Sequence, residues 1–117
     1  MKPLSWIGSS QDDLRSMPGG VRQAFGFALY LAQTGKKHEN AKPLQGFGSA
    51  GVLEVVKNEQ GGTYRAVYTV RLKKAIYVLH CFQKKSSSGR STAKKDIDLI
   101  HARLARAIEI DKEKGHD

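Results

Sequence analysis

The sequence predicts an α+β fold, with an N-terminal helical hairpin and a C-terminal helix packed on a small, mainly antiparallel sheet of three to four strands. Three observations carry this expectation. Apolar residues recur with helical spacing from Val21 to Thr34 and again from Ala93 to about Lys112. Three β-rich runs lie between those segments, and short polar turns join them.

A strand from Pro3 to Ile7 would supply the fourth member of the sheet. Ser9 and Ser10 each have an aspartate three residues later, a hydroxyl-then-acid pattern that starts a short helix near Gln11. Pro18-Gly19-Gly20 breaks it. The second helix buries Val21, Ala24, Phe25, Ala28, Leu29 and Ala32 on one face and stops at Gly35. Residues 36–51 are expected to be loop, punctuated by Pro43, Gly46, Gly48 and Gly51. Val52–Lys57, Thr63–Arg71 and Ala75–Phe82 then form a meander. The last run has apolar residues at both parities, so it belongs in the centre, covered on both faces. Thr92 can cap the final helix, whose apolar stripe is Ile97, Ile100, Leu104 and Ile108. The helices are expected in one layer against the sheet.

With 117 residues, the chain is expected to be one domain spanning residues 1–117. No run approaches the roughly 18 apolar residues of a membrane span. The N-terminus turns acidic before a signal-peptide core could form, so the expected location is the cytoplasm. Cys81 stands alone, which excludes an internal disulfide and a multi-cysteine zinc site. No His, Cys, Asp or Glu cluster has metal-ligand spacing, and neither metal nor cofactor is expected.

The net charge is +9, which favours a polyanionic partner. Its distribution says more. Residues 84–95 carry five Lys or Arg and no acid, and residues 42–74 carry six against two. Nucleic acid is the partner such a surface suggests.

TYRAVYTV, AIYVLHCFQKKS and TAKKDIDLIHARLARA occur in series, preceded by FGFALYLAQTGKKHENAKPLQGFG and GVLEV. Together these segments resemble the phage-derived HigB-type branch of the RelE/ParE toxin superfamily, over nearly the whole chain. The resemblance implies the toxin of a type II toxin–antitoxin pair, most simply a ribosome-dependent mRNA endonuclease. Its expected partners are a helix-turn-helix antitoxin of the HigA type, the ribosome and mRNA. ParE-like relatives share the fold and act on DNA gyrase instead, and a non-enzymatic nucleic-acid-binding relative is a further alternative. The chain departs from the superfamily pattern at Thr92-Ala93, where Thr-Pro is common, and at Glu54-Val55-Val56, where Glu-Leu-Arg is common.

Metal-independent RNA cleavage uses the ribose 2′-hydroxyl as nucleophile and needs positive charge on the phosphorane, a base and an acid. Under the resemblance, Arg65, Lys84 and Lys85 are the candidate catalytic residues, with Lys42, Arg90, Lys94 and Lys95 as RNA-binding residues. Arg65 has two readings, a phosphate ligand or an ion pair with Glu54 on the next strand, and the resemblance favours the first. His80 has a suitable pKa range, yet a lone histidine in an apolar strand is read as a hydrogen-bonded core residue. Tyr64, Tyr68 and Trp6 are read as core, and His38 and His101 as surface.

Overall fold

The computed structural model describes residues 1–84 and 92–114. The order of elements is β1 (Leu4–Trp6), α1 (Ser10–Arg15), α2 (Gly19–Gln33), β2 (Ala41–Pro43), β3 (Val52–Glu59), β4 (Gly62–Thr69), β5 (Ile76–Lys84) and α3 (Lys94–Lys114). The class is α+β, as expected, but the sheet is larger. Five strands run in the order β1-β5-β4-β3-β2. The β3-β4-β5 meander is antiparallel, and β1 joins β5 in parallel, so the sheet is mixed.

The extra strand is β2, inside the segment expected to be loop. Ala41–Pro43 pairs with Leu53–Val55 at the outer edge, where a proline costs no ladder bond on its solvent side. The glycine-rich stretch after it returns the chain to β3. Gly51, at φ +73°, occupies the left-handed conformation needed there.

The single helical layer is also corrected, because helices cover both faces. On one side Leu14, Met17, Val21, Phe25, Ala28 and Leu29 of the α1–α2 region pack on Val55, Ala66, Tyr68, Ile76, Val78 and Cys81. On the other, Ile100, Leu104 and Ala107 of α3 pack with Leu44, Phe47, Val67, Tyr77 and Leu79. Strand β5 therefore lies between two layers, and Ile76 to Cys81 are all buried. That matches its apolar residues at both parities. Tyr68 is core as expected, while Tyr64 and Trp6 are partly buried against the α1–α2 side.

Two capping expectations are realised differently. Ser9 is the N-cap of α1, but its hydroxyl donates to Asp13 Oδ2 at 2.7 Å rather than serving the helix amides. Ser10 is fully buried and donates to the carbonyl of Val78 at 3.1 Å, tying α1 to β5. Pro18 is the N-cap of α2, so Gly19 and Gly20 start that helix instead of merely preceding it. The far end of α3 is fixed by Asp111, which accepts from the backbone N–H of Lys73 and Lys74 and from Tyr77 Oη.

A β-bulge lies where β4 and β5 change register between Val67 and Tyr68. Val67 faces His80 while Tyr68 faces Val78, leaving Leu79 as the extra residue. Leu79 joins the α3-side core and His80 bonds α3 as well, so two successive side chains share one face.

Candidate functional site

The register places the candidate residues on the α3 side of the sheet. Lys42 faces Glu54, Glu54 faces Val67, Arg65 faces Val56 and Phe82, and Lys84 faces Thr63. Directly opposed residues share a face, and so do residues two apart on one strand. A row therefore crosses four strands: Lys42 on β2, Glu54 on β3, Arg65 on β4, then Phe82 and Lys84 on β5.

Arg65 and Glu54 form the middle of this row. Nη1 of Arg65 lies 2.7 Å from Oε1 of Glu54, and both residues are buried. The second carboxylate oxygen, Oε2, accepts from Thr92 Oγ1 at 3.0 Å. Thr92 thus clamps the approach to α3 onto the sheet. Arginine on a strand face presents a planar fork, and here a carboxylate fixes its orientation. The phosphate and ion-pair readings of Arg65 consequently concern one arrangement: whatever the guanidinium contacts, it does so while held by Glu54.

His80 is the centre of a second link. Its Nε2 is 2.8 Å from Asp96 Oδ1 in the first turn of α3, and its ring stacks on Phe82 with centroids 4.3 Å apart. Burial lowers the imidazole pKa, and the nearby Arg103 guanidinium adds to that, against the opposing pull of Asp96 and Asp13. The neutral ring donates from Nε2 to the carboxylate. Nδ1 is buried without a hydrogen-bond partner among the described residues.

A half-open cleft of about 850 Å³ runs along the C-terminal half of β5, between α1 and the start of α3. His80, Phe82 and Lys84 of β5, Tyr64 of β4, Met17 and Pro18 beyond α1, and Lys95 of α3 all line it. Cys81 also borders this cleft, and burial pushes the pKa of its thiol up to about 12.

Of the predicted residues, Arg65 and Lys84 are brought to one face, and Lys84 and Lys95 to one cleft. Lys42 shares the face but sits exposed on the outer strand, beside a shallower depression lined by Glu39, Asn40, Val56 and Asn58. Lys94 is exposed and pairs with Asp98 at 3.0 Å, one helical turn on. Lys85 and Arg90 lie outside the described residues. The sequence reading missed the His80–Asp96 link. Its only signal was a polar residue within AIYVLHCF, with an aspartate at the start of the next helix.

A family model described as Phage derived protein Gp49-like (DUF891) matches residues 12–105. No curated protein and no solved structure matches the chain.

Proposed function

The chain belongs to the Gp49-like family of phage-derived proteins, a family within the RelE/HigB-like toxins, and from that premise we propose that it is a toxin that cleaves mRNA on the ribosome. The observation that carries the reading is the placement of Arg65 and Lys84 on one sheet face, two register positions apart, at the end of β5. Two cations there suit a phosphate whose negative charge grows during reaction.

In the proposed reaction the ribose 2′-oxygen bonds to phosphorus and the bond to the 5′ oxygen breaks. The products are a 2′,3′-cyclic phosphate and a 5′-hydroxyl. The 2′ proton passes to a base, and the 5′ oxygen takes a proton from an acid. Arg65 and Lys84 stabilise the phosphorane, Lys85 is assigned the same role, and Glu54 keeps the Arg65 fork in place. Lys42, Arg90, Lys94 and Lys95 hold the RNA backbone. In-line geometry is supplied by the ribosome, which makes the chain a weak nuclease on free RNA. An antitoxin with an acidic surface neutralises the toxin by covering the basic end of the sheet.

The test is inducible expression without an antitoxin, with RNA 5′ ends sequenced minutes after induction. New ends inside coding regions, in register with codons, are expected, and Lys84→Ala should remove them while the protein still folds. Lys84→Ala is preferred to Arg65→Ala because loss of Arg65 strands the buried Glu54 carboxylate. Growth arrest with intact transcripts and broken DNA would move the target to gyrase.

A further inference from the structure

We infer that the open edge of β5 takes an extended, acidic peptide segment of a partner protein as an added strand. β1 pairs with β5 only over Ile76–Val78, whereas β4 pairs with it as far as Lys84. Just past the end of β1, the Leu79 carbonyl accepts from Arg103 Nη1 at 2.9 Å. From His80 to Lys84, no strand among the described residues lies along the side away from β4. Alternate residues of an antiparallel pair turn both N–H and C=O away from their neighbour. This edge therefore offers donors and acceptors at strand spacing, a pattern that another peptide backbone complements.

The cleft has a wall on each side of that edge. Met17, Pro18 and Tyr64 form the α1 side, and Phe82 and Ala93 lie towards α3. An added strand sends successive side chains to opposite faces, so each set meets an apolar wall. Single-stranded RNA would stack its bases and bind through phosphates, leaving a backbone edge unused. Charge then selects among peptides. Along the cleft Lys84 and Lys95 are matched by Asp13 and Asp96, which accept from Ser9 Oγ and bond His80 Nε2. The preference for acidic peptides therefore comes from the chain's net charge of +9.

This inference rests on the partner half of the proposed function and is independent of RNA cleavage. The test selects a display library of random peptides, about twelve residues long and so ample to pair with an edge of about five residues, against the immobilised full chain. Enriched peptides are then mapped on that chain by amide hydrogen exchange. Acidic sequences with alternating apolar residues are expected, slowing exchange within residues 80–84 about tenfold or more. Methylating alternate backbone nitrogens of the peptide should abolish binding, and Lys95→Glu should weaken it about tenfold. Failure to enrich any peptide would overturn the inference. So would protection confined to α2, or indifference to N-methylation. Protection of the same amides by a short oligouridine, but by no peptide, would also overturn it and give the edge to RNA. Should transcripts stay intact while the peptide results hold, the nuclease reading falls and the docking edge stands.

Discussion

Nη1 of Arg65 and Oε1 of Glu54 lie 2.7 Å apart between neighbouring strands, with Arg65 7% exposed and Glu54 6%. A buried pair of this kind is a weak source of net stability, but breaking it is expensive because the surviving charge stays out of water. Glu54→Ala should therefore cost about 3–5 kcal/mol. Replacing both residues together, as in Glu54→Leu with Arg65→Met, should recover a large part of that loss. Urea denaturation of the two singles and the double reads the coupling, and simple additivity would contradict it.

The α3 layer hangs on its apolar stripe. Ile100 is fully buried among Tyr77, Leu79 and Val67. Ile100→Ala should cost about 2–5 kcal/mol, read as a lowered denaturation midpoint with an unchanged slope.

Stability should fall on mild acidification. The His80 imidazole is held below its ordinary value of 6.5. Below 6.5 the unfolded chain takes up a proton that the folded chain resists, so stability rises with pH between the folded value and 6.5. It is complete above 6.5 and is lost as pH falls towards the folded value. His80→Asn should flatten that slope. Melting temperatures followed from pH 7.5 to pH 5 would check both statements.

Gly51 allows no side chain cheaply. Its φ is +73°, and a Cβ would overlap the side chain of Arg71. Gly51→Ala should cost about 1–2 kcal/mol from the left-handed backbone alone. A melting temperature equal to that of the unaltered chain would contradict this.

Cys81 should be inert in the folded chain. It is 1% exposed and its pKa is raised to about 12, which leaves a thiolate fraction ~10³-fold below that of an ordinary cysteine. Disulfide reagents should label it only on unfolding, so the labelling rate should follow denaturant concentration.

Much of the core was legible because periodicity reports burial directly. The apolar stripe of α2, the stripe of α3 and the both-parity run of β5 all occupy the interior as their spacing requires. The same β5 pattern already implied two covering layers, a consequence that the single-layer expectation overlooked. Strand β2 escaped notice because three residues that include a proline carry no periodicity. Ser9 stands at the N-cap as its pattern suggests, but the serine hydroxyls bond elsewhere: Asp13 within α1 and the Val78 carbonyl of β5 outcompeted the helix amides. At the candidate site, residue types were legible but their pairing was not. Glu54 and Arg65 are eleven positions apart and His80 and Asp96 sixteen, and only strand register and helix docking join them.

The bulge at Leu79 acts as a phase shifter for everything downstream of it. Strict alternation from Tyr77 and Leu79 would carry Cys81 and Gln83 to the α3 side and turn His80, Phe82 and Lys84 to the other. The one-residue slip reverses that assignment, and this reversal alone sets Lys84 beside Arg65 and His80 against Asp96. A single-residue deletion at Leu79 would remove the extra residue itself: with Val78 followed directly by His80, plain alternation keeps His80, Phe82 and Lys84 on the α3 side. The bulge is therefore an admission slot, which lets one more apolar side chain into the α3-side core without changing which face the site residues occupy.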